Sequence, residues 1–478
     1  MIHWLMSHDQ GNDFHLNNIM PGYVFKFPLL HAICHTRLTE PGQSDVRWAM
    51  DVPKNGTFID LSAVNLSLQG WLLVPPSSDL TQDRALVYLP LDASVEPVEI
   101  PFTVKRPDVI TRVLHESVDS HPQLTCGFNA RVPFPAQGFR FGYRVGDEPV
   151  VWVSEVTFVQ LDNLVVGHEG WLFLDNDTNH SVDQFTGQKL LQSSNLANWQ
   201  AYYDGCRALA ARAGARHAMI VAPSKEEVLP HRYPYARAPL TVLDQVCSLA
   251  TPADHLVNAA PLLAAHQPPE DCFRRNDTHW TDRGALLAAL AALQALGLDE
   301  ERARQCFAAD EYEVLNAMGD LGVKIGPGFT APTEFLKGPP PEGGAGYDNR
   351  LPNFGRVLVY EQEAAPYPQR LLMFGASSSY PMLKYLKRLF RRVVFVHSAA
   401  QVDPLVVEHE RPDLLLLQSN ARFLVQAPHL GFNLAHTMKA KLAEASPAVQ
   451  AHAAELVAAK RQQPAYAWYA EMLENALD

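Results

Sequence analysis

The sequence predicts two domains of different class: an antiparallel β-sandwich over residues 1–160, then an α/β domain with a parallel sheet over residues 161–478. Two patterns predict this division. Up to about residue 160, short alternating polar and apolar runs are separated by Gly, Pro, Asn and Asp, which is typical of antiparallel strands joined by turns. After about residue 165, helical patterns alternate with strands that are apolar throughout, which is typical of a parallel sheet covered on both faces.

The first domain is predicted from its strand-like runs. These are Thr57–Leu61, Gly70–Val74, Ala85–Leu89, Val98–Val104, Phe139–Val145 and Val150–Phe158. Helical periodicity is limited to one short turn near Val109–His115. Trp71 and Trp152 lie within strand patterns, which favours a place in the core over a sugar-binding surface.

The second domain is predicted from its alternating elements. The predicted helices are Asn195–Ala213, Leu256–Ala265, Thr281–Leu298 and Met382–Phe390, with an Ala-rich helical segment from Leu430 to Leu477. The predicted strands are His217–Val221, Leu371–Phe374, Val393–His397 and Leu414–Leu417. The residues from Gly338 to Gly346 are predicted to form a loop.

Composition and charge exclude several classes of protein. The chain has 478 residues, of which 47% are hydrophobic and 19% charged, so it is not largely disordered. The balance of 39 Lys and Arg against 52 Asp and Glu gives a net charge of −13, which argues against a nucleic-acid partner. The densest basic run, Lys384, Arg388, Arg391 and Arg392, is predicted to be a solvated helix face.

Cysteine and histidine spacing predicts neither a metal site nor a cofactor. The six cysteines form no CxxC pair, and no His/Cys cluster has metal-ligand spacing. The first nine residues show no basic segment followed by an apolar one, so no signal peptide is predicted. No run approaches the ~18 apolar residues of a membrane span. We therefore expect a cytoplasmic chain with no direct membrane span.

Asp277 and His279 form the first candidate catalytic pair, just before a predicted helix start. In an extended segment, residues two apart point to the same side. The carboxylate can then bind one imidazole nitrogen, fix the tautomer and leave the other nitrogen free as a base. The alternative interpretation is a helix cap beside a surface histidine.

The segment Gly375–Pro381 is the second candidate, because it joins a predicted strand to a predicted helix. Gly375 permits a tight turn, and Pro381 is placed at a first helical position. Small residues at a helix N-terminus leave N–H groups open to negative charge. A serine here would lie at the carboxyl edge of the sheet, the usual place for sites in open α/β folds, and neighbouring amides could hold an oxyanion. The alternative interpretation is a simple small-residue loop.

Four segments resemble one known family. Gly167–Leu174 resembles the opening signature of the SGNH-hydrolase-like domain of alginate O-acetyltransferases of the AlgJ/AlgX type. Three later segments follow in that family's order: Ala222–Glu226, Asp277–Thr281 and Gly375–Ser377. Arg411–Leu414 and Ala421–Leu424 also resemble a late strand of the family, so the resemblance covers roughly residues 165–430.

The resemblance implies an SGNH-hydrolase-like, flavodoxin-like sheet and assigns three roles. Ser377 would be the nucleophile, His279 the base and Asp277 its orienting acid. Ser378 and Ser379 remain rival nucleophiles. The chain departs from the family pattern at Ala376, where many SGNH proteins carry Asp, and at Ala421, where relatives often carry Glu before Arg.

The implied function is transfer of an acetyl group, through a serine acyl-enzyme, to hydroxyls of a bacterial polysaccharide or glycan precursor. The implied partners are an acetyl donor, for which an acetyl-delivering membrane protein is one candidate, and the glycan acceptor. The resemblance implies the periplasm, where this family usually works, which conflicts with the cytoplasmic location expected above. Two alternatives stay open: a carbohydrate acetylesterase with the same triad, and a non-catalytic glycan-binding scaffold protein.

Other residues have weaker signals. Gly70–Leu73, Lys105–Val109 and Cys126–Phe128 resemble a β-sandwich module of bacterial glycan-modifying enzymes, which implies glycan binding or docking. In the second domain, Lys225 is expected at the surface and His397 at a strand end. Tyr380 is expected either to line the pocket mouth or to pack under a helix.

Overall fold

The computed structural model describes residues 31–38, 46–54, 57–60, 63–91, 96–135, 137–161, 163–326 and 329–477. The described residues form two compact units. One contains the residues up to Phe173 together with those of Met318–Thr330, and the other contains Leu174–Ala317 and the residues from Ala331 onward. The domain division at residue 160 stays a prediction. Residues 1–9 and Leu61, on which two expectations rested, lie outside the described residues.

Two antiparallel sheets make up most of the first unit. Their strands are β1 (His31–Leu38), β2 (Arg47–Val52), β3 (Phe58–Asp60), β4 (Asn65–Leu73), β5 (Arg84–Pro90), β6 (Val98–Pro101), β7 (Val104–Lys105), β8 (Thr125–Pro133), β9 (Gly138–Val145) and β10 (Val151–Gln160). The six-stranded sheet has the order β3-β1-β10-β9-β5-β6, and the four-stranded sheet has the order β2-β4-β8-β7. Buried side chains of both sheets, such as Leu68 and Phe141, share one core. The antiparallel sandwich is therefore confirmed.

Some local predictions for this unit were wrong. The predicted strand Val98–Val104 is two strands, β6 and β7, which belong to different sheets because the chain crosses over after Pro101. Among the strands of the two large sheets, β1, β2 and β8 had not been predicted. The short helical turn is confirmed as α1 (Pro107–Val109), which continues as a π-helical turn. Trp71 and Trp152 are half-buried.

The signature segment Gly167–Leu174 spans a turn and a short strand. Here β11 (Leu164–Val166) pairs with β12 (Leu172–Leu174). Glu169 and Gly170, between the two strands, both have positive φ angles. The glycine suits the second of these positions because it has no Cβ to clash.

A seven-stranded sheet is the centre of the second unit. The remaining strands of the chain are β13 (Arg216–Ala222), β14 (Leu256–Asn258), β15 (Tyr312–Met318), β16 (Thr330–Leu336), β17 (Tyr347–Asp348), β18 (Val357–Glu361), β19 (Tyr367–Gly375), β20 (Phe390–His397) and β21 (Leu414–Asn420). The sheet order is β14-β13-β21-β19-β20-β18-β17. Strands β14, β13, β21, β19 and β20 are mutually parallel. At the β20 side, β18 pairs antiparallel with β20, and β17 pairs antiparallel with β18.

Helices alternate with these strands along the chain, and β21, in the middle of the sheet, is buried at every residue. The remaining helices of the chain, of which α9 belongs to the first unit, are α2 (Ser181–Phe185), α3 (Ser193–Ala213), α4 (Lys225–Val228), α5 (Val242–Leu249), α6 (Ala260–Ala264), α7 (Asp282–Ala295), α8 (Glu300–Phe307), α9 (Gly322–Ile325), α10 (Ser379–Leu389), α11 (Pro404–Glu410), α12 (Leu434–Ala443), α13 (Pro447–Lys460) and α14 (Ala467–Leu477). The α/β class with a parallel sheet is confirmed.

Two predicted elements of this unit were wrong in type or extent. The predicted helix Leu256–Ala265 is a strand, β14, followed by α6, because Leu256–Asn258 pair in parallel with β13 at the sheet edge. Helix α10 begins at Ser379, so Pro381 is its third residue rather than its first. That position tolerates proline because first-turn N–H groups have no intrahelical partner.

The basic run is not a solvated helix face, contrary to expectation, and Arg391 is its one exposed residue. Arg391 and Arg392 lie on β20 rather than on the helix. Lys384 pairs with the fully buried Asp282 at 2.6 Å, and Arg392 pairs with Glu410 at 2.8 Å. Because these cations neutralise carboxylates that lie within the unit, they contribute to its interior rather than to its surface.

Candidate active site

The segment that carries Asp277 and His279 is a closed loop in front of α7. Phe273 and Trp280 form an antiparallel bridge across its base. The Trp280 indole N–H donates to the Ser378 carbonyl at 2.9 Å. Thr281 caps the helix by accepting from Gly284 N–H at 3.1 Å. These contacts hold the loop against the serine segment.

Asp277 and His279 lie side by side, as their spacing predicted. Asp277 Oδ1 lies 2.7 Å from His279 Nδ1 and also accepts the His279 backbone N–H at 2.9 Å. The carboxylate thus holds both the ring and the backbone of His279. In the neutral tautomer whose proton is on Nδ1, the N–H donates to Asp277. The other ring nitrogen, Nε2, is then an acceptor on the opposite side of the ring.

Ser377 follows β19 in the turn that leads into α10. A Cβ atom on Gly375 would lie 2.0 Å from Ser379 Oγ and 3.1 Å from a Phe395 ring carbon, so the turn needs a glycine there. Gln418 Oε1 accepts from both Ala376 N–H and Ser379 Oγ, each at 2.8 Å. One buried amide therefore fixes the residues on both sides of Ser377.

The two candidate segments meet at one contact. His279 Nε2 lies 2.8 Å from Ser377 Oγ, so Asp277, His279 and Ser377 form a continuous hydrogen-bonded chain. The rival serines are less suitable. Ser379 is fully buried and donates to Gln418, and Ser378 is 5% exposed. Ser377 is partly exposed.

Two backbone amides beside Ser377 are available to a ligand. Within the described part of the chain, the N–H groups of Ser377 and Ser378 donate to no protein acceptor, whereas that of Ala376 donates to Gln418. Both open amides lie at the N-terminal end of α10, where the helix dipole favours negative charge. The pair is suited to an oxyanion that develops at a carbonyl attacked by Ser377.

Asp277 is the anionic end of the chain of contacts. Burial would raise the pKa of its carboxyl group, but the hydrogen bond and charge of His279 and the charge of Arg274 outweigh burial and hold that pKa below its ordinary value. Arg274 Nη1 lies 3.6 Å from Asp277 Oδ2, whereas the His279 contacts described above are to Oδ1. Asp277 is thus ionised over the physiological pH range.

Lys225 was expected at the surface, and that expectation was wrong. Only 3% of it is exposed, and its Nζ donates to the Arg275 carbonyl at 3.3 Å. The residue follows β13 directly at the start of α4, so its side chain lies at the carboxyl edge of the sheet and supports the loop before Asp277.

His397 and Tyr380 contact each other. His397 ends β20, as predicted, and its Nδ1 lies 3.1 Å from the Tyr380 hydroxyl. Burial, with the positive charges of Arg356 and Lys441, lowers the pKa of His397 to about 4. The Tyr380 ring packs against Phe395 and under the Arg356 guanidinium, and the residue is partly exposed.

Gln418 is the residue that sequence reasoning missed. It follows four leucines on β21 and has no exposed surface. A polar side chain at the carboxyl end of an apolar strand was the available signal, because such a group must find a buried partner. Only the strand order, which places β21 beside β19, identifies the serine turn as that partner.

Comparison with known proteins gives one family match. The model of the SGNH hydrolase-like domain of acetyltransferase AlgX matches residues 164–333. The AlgJ/AlgX-type resemblance is therefore confirmed, and this part of the chain is SGNH hydrolase-like. The matched range includes Asp277 and His279, whereas Ser377 lies beyond it. No curated protein matches the chain.

Several solved structures are also similar. The O-acetyltransferase domain of Pseudomonas putida AlgJ is 18% identical, with 62% of this chain and 98% of that chain covered and a TM-score of 0.38. Bacillus cereus PatB1 with a sulfonyl adduct is 12% identical, with coverages of 55% and 96% and a TM-score of 0.42. Pseudomonas aeruginosa AlgX is 14% identical, with coverages of 54% and 62% and a TM-score of 0.33.

None of the helices in the described ranges combines the length and the apolar character needed to cross a bilayer.

Proposed function

We propose that this chain is an O-acetyltransferase that carries an acetyl group on Ser377 and delivers it to a hydroxyl group of a bacterial polysaccharide or glycan precursor. The observation that carries the proposal is the position of His279, whose two ring nitrogens lie 2.7 Å from Asp277 and 2.8 Å from Ser377. The match of residues 164–333 to an acetyltransferase family supports the choice of acyl group.

The first half-reaction loads the enzyme. His279 Nε2 takes the Ser377 hydroxyl proton while Oγ attacks the acetyl carbon of the donor, and the carbonyl electrons move onto oxygen. The open amides of Ser377 and Ser378 stabilise this oxyanion. The bond to the leaving group then breaks, the leaving group receives the proton from His279, and acetyl-Ser377 remains.

The second half-reaction uses the same groups in reverse. A sugar hydroxyl gives its proton to His279 Nε2 and attacks the acetyl carbon. The ester bond to Ser377 breaks, and Oγ recovers the proton from His279. Throughout, Asp277 keeps the imidazole oriented and stabilises the imidazolium form.

The loading step is tested with para-nitrophenyl acetate as the acetyl donor. Intact-protein mass spectrometry of wild-type chain quenched in acid should show one added acetyl group, and peptide mapping should locate it on Ser377. Ser377→Ala should abolish the adduct. Ser378→Ala is the matched control and should retain it, because His279 contacts Ser377. An adduct that persists in Ser377→Ala contradicts the proposal.

The transfer step is tested by adding an oligosaccharide acceptor to the same reaction. A transferase should form acetylated sugar at the expense of free acetate, whereas an esterase should release acetate at the same rate with or without the sugar. A chain that never acquires acetyl on Ser377 would instead be the non-catalytic scaffold protein.

A further inference from the structure

A polar cleft opens at the same edge of the sheet as Ser377. Its volume is about 420 Å³, and it is lined by Glu342, Ala345, Asp348, Arg350 and Arg356. That volume lies in the range of small-molecule binding sites.

The pairing of the strands locates the cleft relative to the serine. Gly375, two residues before Ser377, is the register partner of His397 on β20, and Val357 on β18 is the partner of Val396. Arg356 directly precedes Val357. It therefore lies at the carboxyl edge of the parallel strands, two strand positions from the serine turn, or roughly 10 Å across the sheet.

Direct contacts connect the cleft to the serine turn. Tyr380 N–H donates to the Ser377 carbonyl at 3.2 Å. The Arg356 guanidinium carbon lies 5.5 Å from the centre of the Tyr380 ring. Arg356 in turn makes a bidentate pair with Asp348, at 3.1 and 2.8 Å. The wall of the cleft and the turn that carries the nucleophile are thus parts of one packed structure.

Both sides of the cleft are held by hydrogen-bonded polar side chains. On one side, Lys387 Nζ donates to the carbonyls of Pro340, Pro341 and Gly343 at 2.9, 3.2 and 2.7 Å, which fixes the loop that carries Glu342 and Ala345. On the other side, the fully buried Asn349 donates to the Gly355 carbonyl at 2.9 Å. A preformed cleft loses little entropy when a ligand binds.

Two charged groups of the cleft are available to a ligand. Arg350 and Glu342 are exposed, and neither side chain has a hydrogen-bond partner in the ranges that the structure describes. Arg350 has a φ of 53°, a left-handed conformation that non-glycine residues adopt at a cost. A guanidinium supplies several donors and a carboxylate only acceptors, so the pair matches hydroxyl groups, which both donate and accept.

We propose that this cleft is a subsite for a sugar residue of the acceptor glycan, at a distance from the sugar whose hydroxyl group reacts at Ser377. This inference rests on the proposed function, since it assumes a glycan acceptor. Linked sugars extend across the sheet edge from the serine turn to Arg350. The subsite therefore selects oligosaccharides over short acceptors, and it positions the chain without contacting the reacting atoms.

The test is a binding measurement in a Ser377→Ala background, so that no acetyl chemistry intervenes. Calorimetric titrations with cellotetraose and with a tetrauronate, each compared with its disaccharide, would distinguish neutral from acidic sugars. We expect at least one tetrasaccharide to bind more tightly than its disaccharide. Arg350→Ala and Glu342→Gln should each weaken that tetrasaccharide about tenfold and leave the disaccharide unchanged.

Arg391→Ala is the matched control, because Arg391 is an exposed arginine at the opposite, amino end of β20. It should bind both lengths as the Ser377→Ala parent does. Equal tetrasaccharide affinity in Arg350→Ala and the parent, or no binding of any probe, overturns the subsite. Absence of acetyl-Ser377 in the loading experiment overturns the proposed function instead, so the two failures are distinguishable.

Discussion

The imidazole of His279 lies 2.8 Å from the hydroxyl oxygen of Ser377, although 98 positions separate the two residues in the chain. The contact forms where the loop before α7 meets the turn after β19. Trp280 contributes to it by donating its indole N–H to the Ser378 carbonyl.

Asp277→Asn should lower kcat for acetyl release from para-nitrophenyl acetate by roughly 10³–10⁴-fold. The carboxamide cannot stabilise an imidazolium and can hold the ring in the wrong tautomer. Steady-state kinetics measure the loss, and circular dichroism checks that the fold is kept. A variant within tenfold of wild type would show that His279 does not depend on Asp277.

Arg274→Met should lower kcat by roughly five- to tenfold and leave KM unchanged. Arg274 lies 3.6 Å from Asp277 Oδ2, whereas His279 contacts Oδ1, so its charge positions the carboxylate without contacting the reacting atoms. Arg274→Lys keeps the charge and should recover most of the rate. If Lys and Met variants lose activity equally, the role of Arg274 is packing over Phe335 rather than electrostatic.

Lys384→Met should destabilise the second unit by roughly 3–5 kcal/mol. The substitution leaves the Asp282 carboxylate buried without its cation, and Asp282 Oδ1 already has no hydrogen-bond partner among the residues that the structure describes. Urea unfolding measures the change. The control is Lys337→Met, which breaks the exposed pair with Glu311 and should change the free energy of unfolding far less than Lys384→Met does. Equal effects of the two variants would contradict the assignment of a buried pair.

Glu226→Gln should remove a pH dependence of stability. Burial raises the pKa of Glu226 to about 7 from an ordinary value of 4.5, against the opposing charges of Lys225 and Arg422. Because the folded chain binds the Glu226 proton more tightly than the unfolded chain does, protonated Glu226 stabilises the fold. This contribution to the free energy of unfolding is fully present below pH 4.5 and is lost as pH rises through 7. Wild type should therefore lose roughly 3 kcal/mol over that interval relative to Glu226→Gln.

Denaturant unfolding at several pH values between 5 and 8 measures this difference. The free energy of unfolding of Glu226→Gln minus that of wild type should grow with pH. A difference that is constant across the range would mean that Glu226 titrates in the folded chain as it does in the unfolded one.

Local sequence patterns predicted much of the fold and of the candidate site. Alternating runs predicted the sandwich strands, because a strand buried on one face alternates apolar and polar residues. Apolar strands between helices predicted the parallel sheet, because a strand buried on both faces is apolar throughout. The two-residue spacing of Asp277 and His279 likewise predicted their contact. Where a second sheet intervened, as at Val98–Val104, or where edge pairing overrode helical propensity, as at Leu256–Asn258, local patterns failed.

Residue order alone therefore determined which short segments carry reactive groups: a carboxylate–imidazole pair before a helix and a serine after a strand. Tertiary structure decided which of them meet. The last strand, β21, pairs between β13 and β19, which brings Gln418 against the serine turn, and Lys225 becomes buried beside the Asp277 loop. The physical reason is range: hydrophobic periodicity acts over a few residues, whereas strand order depends on how whole elements pack to bury a common core.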